Sequence, residues 1–313
     1  MSLTLSNQGH GAASAAGAPF DSRDPRAVTV AATQMRSGSP EANITKAENL
    51  VRIAHQQGAQ IILLQELFQH SYFPIELSSQ NFQLAEPLES SGIVRGMQAL
   101  AKELRVVLPI SFFERYKNSY YNSVAVIDAD GAVLGVVRKA HMSDRLGYND
   151  KYYFTPSDDP IQVFETRYAA IGVGIGSDQW SPEHARLLAI QGADIIFYPS
   201  ALGSNQYDVQ YDSRDQWHRV MQGHAAASMV PIVVSNRTGT EHCDGVQVTF
   251  SGSSTIIGNT GEIAKMADRD SEGALVHVLS LEKFHIRRAS WGLLRDRRPH
   301  LYKGLVTRDG DAA

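Results

Sequence analysis

Short apolar runs alternate with longer amphipathic segments along most of this 313-residue chain. Residues 28–32 form an apolar run of strand length, and residues 40–57 then carry apolar side chains at helical spacing before Gly58. The runs at residues 61–64 and 195–198 are apolar throughout, which is typical of strands buried on both faces. This alternation predicts an α/β protein whose helices cover its sheets from outside.

Turn signals between pairs of apolar runs add hairpins to this alternation. Asp130-Gly131 is the strongest of these signals, and further hairpins are expected to turn at residues 166–167 and 259–261. Hairpins make antiparallel neighbours, whereas strand–helix alternation makes parallel ones. We therefore expect two mixed sheets packed together, with helices outside them.

Charge and cysteine content exclude several classes of protein. The 29 basic and 33 acidic side chains give a formal net charge of −4, which argues against a dedicated nucleic-acid or anionic-membrane surface. No apolar run approaches the roughly 18 residues that a membrane span needs. Cys243 is the single cysteine, so an internal disulfide and a cysteine-based metal site are both excluded.

The first 25 residues differ in composition from the rest of the chain. They are rich in Ser, Ala and Gly, and they lack the basic and apolar regions of a signal peptide. We expect a disordered tail over residues 1–25, one domain over residues 26–308, a short tail over residues 309–313 and a cytoplasmic location.

Charged or glycine-rich residues follow three of the apolar runs. Glu66 ends the first, Lys139 ends the second, and a turn that includes Gly176 ends the third. Function in α/β folds lies at such strand ends, so a Glu and a Lys that meet there form a candidate acid–base couple. Burial raises the pKa of a Glu and lowers that of a Lys, while their pairing opposes both shifts. A plain ion pair at the rim of a sheet explains the same residues equally well.

Many short motifs along residues 28–307 occur together in a characteristic order. They include Leu63-Leu-Gln-Glu66, Ser111-Phe-Phe-Glu114, Tyr121-Asn-Ser123, Arg138-Lys-Ala-His141, Asp178-Gln-Trp180, Asp212-Ser-Arg-Asp-Gln-Trp217, Ser235-Asn-Arg237 and Ser290-Trp-Gly292. In this order the chain resembles the nitrilase superfamily of carbon–nitrogen hydrolases. Within that superfamily it is most similar to members that hydrolyse a linear carbamoyl amine in polyamine biosynthesis.

The resemblance implies a four-layer αββα sandwich, a homo-oligomer, no metal and no cofactor. It also implies a Glu-Lys-Cys triad in which the thiol attacks an amide or carbamoyl carbon and forms an acyl enzyme. By position Glu66 matches the general base and Lys139 the residue that stabilises the oxyanion. Tyr148, Ser177 and Trp180 fall at positions expected to contact a small carbamoyl or amide ligand.

Three residues depart from the family pattern. Gly176 stands at the position of the nucleophilic cysteine, and Ser177 stands at the position of the tryptophan that follows it. A second family glutamate falls on Asp150, which is one methylene shorter. Because glycine has no side chain, no covalent intermediate can form at Gly176. The resemblance with these changes implies a carbon–nitrogen hydrolase homologue that is catalytically impaired or inactive.

Two alternatives remain open at this point. The chain is an active hydrolase that uses Ser177 or another nucleophile, or it is a non-catalytic ligand-binding or regulatory subunit of an active paralogue. Cys243, which we place in a polar loop beside His242, is better explained as an incidental thiol. For assembly, we expect Trp291 and Leu293 to be buried, either between subunits or against the sandwich.

Overall fold

The computed structural model of the chain describes residues 26–207 and 212–311. The expected tail at residues 1–25 lies outside the described residues, as do the last two residues of the expected tail at 309–313.

Strands and helices alternate along the described residues, as the sequence predicts. The strands are β1 (Ala27–Gln34), β2 (Ile61–Leu63), β3 (Leu108–Tyr116), β4 (Ser119–Ile127), β5 (Val133–Arg138), β6 (Asp144–Arg145), β7 (Tyr148–Asn149), β8 (Val163–Glu165), β9 (Ala170–Val173), β10 (Ile195–Ser200), β11 (Gly203–Asn205), β12 (Ile232–Asn236), β13 (Thr238–Cys243), β14 (Val246–Ser251), β15 (Thr255–Ile257), β16 (Ile263–Met266) and β17 (Gly273–Ser280). The α-helices are α1 (Pro40–Gln56), α2 (Gly92–Leu104), α3 (Asp150–Tyr153), α4 (Pro182–Ile190), α5 (Arg214–Ser228) and α6 (Leu281–Trp291).

The first sheet is mixed and has the strand order β17-β1-β2-β3-β4-β5. Strand β1 pairs parallel with β2 and antiparallel with β17, and β3, β4 and β5 pair antiparallel in turn. The two parts join where Ile62 N–H donates to the Val107 carbonyl at 3.0 Å and Val107 N–H donates to the Gln60 carbonyl at 2.8 Å. The start of β2 therefore pairs in parallel with Val107, the residue that precedes β3.

The second sheet is also mixed, with the order β16-β15-β12-β10-β9-β8. Its central strands β9, β10 and β12 run parallel, and hairpins extend it on both sides. The hairpins predicted at residues 130–131, 166–167 and 259–261 are all confirmed. Mixed sheets result because parallel βα units form the centre and hairpins form the edges.

Three buried clusters define four layers. Val30, Leu63, Phe197 and Val233 belong to the cluster between the two sheets. On the outer face of the first sheet, residues of α1 and α2 such as Val51 contact its strands, and α4 and α5 cover the second sheet in the same way. Each such aliphatic side chain contributes about 1.5–3 kcal/mol on burial. The predicted αββα sandwich is therefore confirmed.

Two elements differ from the sequence-based expectation. Cys243 is the last residue of strand β13 and pairs with Val246 of β14, so its placement in a loop was wrong. Asp244 and Gly245 form the turn with φ of 47° and 76°, as the central residues of a type I′ hairpin require. The pattern was missed because exposed polar residues alternate along β13. Helix α6 was also missed because only Leu281 of that helix is buried, which leaves a weak apolar periodicity.

Candidate functional site

Three strand ends bring Glu66, Lys139 and Gly176 together. Glu66 follows β2, Lys139 follows β5 and Gly176 begins the turn after β9. Lys139 Nζ lies 2.9 Å from Glu66 Oε1 and 2.7 Å from Asp150 Oδ2. The side chains of Glu66 and Lys139 are each 2% exposed, and that of Asp150 is 0% exposed. The site is therefore built around one buried ammonium group between two buried carboxylates.

Glu66 receives a second hydrogen bond from the sheet itself. Asn122 on β4 donates from Nδ2 to Glu66 Oε1 at 2.7 Å. Burial raises the pKa of Glu66, and the nearby charge of Asp150 adds to that effect, while Lys139 and Asn122 oppose it. The net direction is upward, which is the direction that suits a general base.

The pKa of Lys139 shifts in the direction opposite to the one that burial alone would cause. Burial lowers its pKa, but the charges of Asp150 and Glu66 outweigh burial, so the net shift of the lysine pKa is upward. Burial therefore decides the direction at Glu66, and pairing decides it at Lys139. An ammonium group that stays charged is suited to stabilise negative charge on a ligand oxygen.

Asp150 is held by groups that sequence motifs alone did not assign. Its Oδ2 also accepts the Ser143 N–H at 3.1 Å, and its Oδ1 accepts the Tyr72 hydroxyl at 3.3 Å. The carboxylate thereby connects Lys139 to the segment that follows β5 and to a buried aromatic side chain. Asp150 thus orients Lys139 even though it stands at the position where the family resemblance implies a longer glutamate.

Gly176 lies where the ends of Glu66 and Lys139 converge. A Cβ on Gly176 would lie 2.6 Å from Glu66 Oε2 and 2.8 Å from Lys139 Nζ. The residue has φ of 48°, a conformation that glycine adopts without strain. Any side chain at this position therefore meets the two ionised groups directly and displaces at least one of them.

Ser177 points its hydroxyl at another serine. Its Oγ lies 2.6 Å from Ser143 Oγ. Among the described residues, the hydrogen-bond partner of Ser177 Oγ is this hydroxyl rather than a group of Glu66 or Lys139. A base that could take its proton is therefore not in contact with Ser177.

Asp178 fixes the turn that carries Gly176. Its carboxylate accepts N–H groups from Ala140, His141 and Ile175, and Oδ1 lies 2.8 Å from His141 Nδ1. Burial raises the pKa of Asp178, but these hydrogen bonds outweigh burial and the net shift is downward. The hydrogen bond to Asp178 in turn raises the pKa of His141. The ends of β5 and β9 are therefore tied together by one buried carboxylate.

Ser181, His141 and Asp178 are hydrogen-bonded in series. Ser181 Oγ lies 3.1 Å from His141 Nε2 on the side opposite to Asp178. The same order of groups occurs in serine hydrolases. However, neither Ser181 nor His141 is among the described residues that line the cavity beside Gly176. We therefore assign this series to holding the turn.

A cavity of about 280 Å³ opens beside Gly176. The residues predicted to contact a ligand all line it: Tyr148, Ser177 and Trp180. Five further described lining residues belong to no motif that the sequence singled out, and these are Tyr72, Ser143, Arg145, Ala201 and Leu202. The described residues therefore form one cavity that presents Glu66 and Lys139 to a small ligand.

Cys243 lies apart from this cavity. It lines a second cavity of about 440 Å³ together with His70 and Glu76, and Tyr72 separates the two cavities because it lines both. Burial and the neighbouring Glu76 raise the pKa of Cys243 to about 11, so the thiol is protonated near neutral pH. It is therefore neither positioned nor ionised to replace a nucleophile at Gly176.

Three further observations concern metal ions, membrane-spanning helices and the exposure of Trp291 and Leu293. In the described ranges, no group of three or more His, Cys, Asp or Glu side chains could hold a metal ion. No helix in the same ranges is long and apolar enough to cross a membrane. Trp291 is 61% exposed and Leu293 is 42% exposed, so of the two expected placements the one against the sandwich is excluded. Their burial between subunits stays a prediction.

Comparison with known proteins identifies relatives across nearly the whole chain. Residues 29–285 match the family described as carbon-nitrogen hydrolase. The chain is 51% identical over 291 residues to the N-carbamoylputrescine amidase of Solanum lycopersicum, covering 91% of this chain and 97% of that protein. It is 46% identical over 280 residues to the citrullinase of Francisella tularensis, covering 89% and 98%.

A solved structure shares the same architecture. The carbon-nitrogen hydrolase of Helicobacter pylori G27 superimposes with a TM-score of 0.84 at 35% identity, covering 90% of this chain and 99% of that chain. The fold of this chain is thus that of a solved carbon-nitrogen hydrolase.

Proposed function

Because the chain belongs to the carbon–nitrogen hydrolase family, we propose that its cavity binds the carbamoyl or amide group of a small linear ligand without covalent turnover. The relatives named N-carbamoylputrescine amidase and citrullinase support a carbamoyl group as the recognised part of that ligand. The compounds in these two enzyme names, N-carbamoylputrescine and citrulline, each carry a urea group at one end of a short aliphatic chain.

The position of Gly176 carries this proposal. A side chain there would begin 2.6 Å from Glu66 Oε2 and 2.8 Å from Lys139 Nζ. That is the place from which a nucleophile can give its proton to a carboxylate while an ammonium group faces the developing oxyanion. We infer that Gly176 occupies the nucleophile position of the family, and glycine supplies no nucleophilic atom.

The remaining groups are sufficient for binding. Lys139 donates to the carbonyl oxygen of a carbamoyl group, and Glu66 accepts a hydrogen bond from its NH₂ group. Both protein groups are held by other bonds, Lys139 by Asp150 and Glu66 by Asn122, so little side-chain freedom is lost on binding.

Turnover without a covalent nucleophile is expected to be very slow. Removal of the nucleophile in a protease costs about six orders of magnitude in rate and leaves about three to four orders over water. Here water is the remaining nucleophile, with Glu66 as its base and Lys139 as the oxyanion partner.

An active hydrolase that uses Ser177 is the weaker alternative. Its hydroxyl is engaged with Ser143 Oγ at 2.6 Å, whereas a nucleophile must lie within hydrogen-bond reach of its base. A serine hydroxyl is also far less acidic than a thiol, so it needs that base more.

A binding subunit within an oligomer is a second candidate function. Large apolar side chains are exposed near the C-terminus of the described residues: Trp291, Leu293, Leu301, Leu305 and Val306. Apolar surface of this kind is typical of protein–protein contacts. We propose that this C-terminal apolar surface contacts a second copy of the chain or an active paralogue.

Titration calorimetry and an ammonia-release assay with N-carbamoylputrescine and citrulline test the ligand proposal. We expect measurable binding of at least one ligand with negligible ammonia release. Glu66→Gln should weaken binding, whereas Glu165→Gln, which neutralises an exposed glutamate, should not. Robust ammonia release that Ser177→Ala abolishes would instead establish Ser177 as the nucleophile.

A further inference from the structure

Arg145 lines the cavity, and no carboxylate among the described residues forms an ion pair with its guanidinium group. Its guanidinium carbon lies 4.4 Å from the centroid of the Tyr148 ring, and its NH2 group donates to the Gly203 carbonyl at 3.3 Å. The adjacent Asp144 is engaged elsewhere, since its carboxylate lies 3.2 Å from Lys151 Nζ. Most of the guanidinium's donors therefore remain available to a ligand.

The other charges of the cavity are already matched. Lys139 faces Glu66 and Asp150, whereas Arg145 is exposed and has only a carbonyl group and an aromatic ring as partners. The remaining described lining residues, such as Ser213 and Gln216, are uncharged. An ammonium group on the far end of a ligand would be repelled by Arg145, and a carboxylate would be attracted.

Tyr148 adds a second unused donor in the same place. It is 4% exposed and lines the cavity, and its hydroxyl donates to no acceptor among the described residues, although its oxygen faces the backbone of Gly203. A buried hydroxyl whose proton has no acceptor costs free energy, so a bound acceptor would relieve that cost. The guanidinium fork and a phenol hydroxyl together match the two oxygens of a carboxylate.

We propose that Arg145, assisted by Tyr148, forms a carboxylate subsite, so that the cavity takes ureido acids in preference to ureido amines. This inference rests on the proposed function, because it assumes that the urea end of the ligand lies at Glu66 and Lys139. Arg145 is then the residue that selects ligands with a negative charge at the end far from the urea group.

Three ligands that share a urea group and a four-carbon chain test the subsite: 5-ureidopentanoate, 4-ureidobutylamine and butylurea. Calorimetry should show the acid binding about tenfold or more tightly than the amine, with butylurea between them. Arg145→Gln should remove this order, and Arg145→Lys should retain part of it. Arg167→Gln is the matched control, since Arg167 is an exposed cation over Tyr168 outside the cavity.

The outcomes separate this inference from the proposed function. Equal binding of acid and amine, or an acid preference that survives in Arg145→Gln, overturns the carboxylate subsite and leaves the carbamoyl site standing. If none of the three ureas binds, the carbamoyl function fails. Pentanoate then tests the subsite alone: binding that Arg145→Gln abolishes supports it, and no binding overturns it.

Discussion

Glu66 approaches Gly176 so closely that a Cβ on the glycine would lie 2.6 Å from Glu66 Oε2. Glu66, the expected general base, therefore lies next to the position where the side chain of a nucleophilic residue would begin, and Gly176 leaves that position empty. The carboxylate occupies space that a side chain at position 176 would need. Restoring a nucleophile therefore requires Glu66 and Lys139 to shift.

We expect Gly176→Cys to restore ammonia release only in part. The single variant should remain at least about 100-fold below Gly176→Cys combined with Ser177→Trp and Asp150→Glu, because a misplacement of about 1 Å costs about that factor. A Cys243→Ser background leaves the introduced thiol as the single target, and mass spectrometry of a trapped adduct checks covalent chemistry.

Glu66→Gln in the triple variant should abolish turnover. A single variant as active as the triple one would show that the site is already assembled.

Sequence patterns located Glu66 and Lys139 because each lies two residues after the last apolar residue of a run that becomes a strand. The resemblance added Gly176 and Asp150 by position. The partners of these groups could not be predicted in the same way. Asn122 reaches Glu66 from β4, and this contact exists only after the sheet has formed.

Arg145 shows a different limit of the sequence. It lies in a short polar segment between Lys139 and Tyr148, where neither helical nor strand periodicity assigns a direction to its side chain. The turn at Asp244-Gly245 shows the opposite case: its dipeptide is a strong hairpin signal, but the polar residues of β13 concealed the strand. Local patterns thus predict strands that carry apolar side chains better than strands that do not.

Gly176→Ala should destabilise the protein more than Gly245→Ala. Both glycines have positive φ, 48° and 76°, but a Cβ at Gly245 meets nothing within 4 Å. The control should cost about 1 kcal/mol for the left-handed conformation, and Gly176→Ala about 1–3 kcal/mol more for crowding. Urea denaturation of both variants checks the difference. Equal losses would mean that Glu66 and Lys139 yield to a methyl group without cost.

Lys139→Met should be strongly destabilising at neutral pH. It leaves Glu66 and Asp150 buried without their shared cation, and breaking such a pair costs about 3–5 kcal/mol. Lys46→Met breaks the half-exposed pair with Glu272 and should cost less than about 1 kcal/mol. The loss in Lys139→Met should shrink as pH falls, because burial raises the pKa of Glu66 and protonation of Glu66 then removes an uncompensated charge. Denaturation curves across acidic and neutral pH measure it, and a pH-independent loss would argue against charge as its cause.

The His141–Asp178 contact should contribute a stability that depends on pH. Because Asp178 raises the pKa of His141 above its ordinary value of 6.5, the contribution is fully present below that value. It is lost as pH rises through the higher value in the folded protein. His141→Gln should therefore reduce the free energy of unfolding most at acidic pH and least at alkaline pH. Comparing the variant with the unmodified chain isolates the contribution of His141 to the free energy of unfolding. The other histidines, including those with lowered pKa values, are present in both proteins. An upward-shifted NMR titration of its imidazole checks the cause directly.

Trp291 should lie in a subunit contact. A side chain that is 61% exposed on helix α6, beside the exposed Leu293, costs free energy in water that burial against a second chain recovers. Sedimentation of the unmodified chain at micromolar concentration should reveal an oligomer, and Trp291→Arg should dissociate it by placing a charge in the contact. Leu77→Arg, which charges a residue that is 65% exposed and far from Trp291 in sequence, should leave the assembly unchanged. A monomeric unmodified chain would contradict the contact, and dissociation by Leu77→Arg alone would move the contact to that segment.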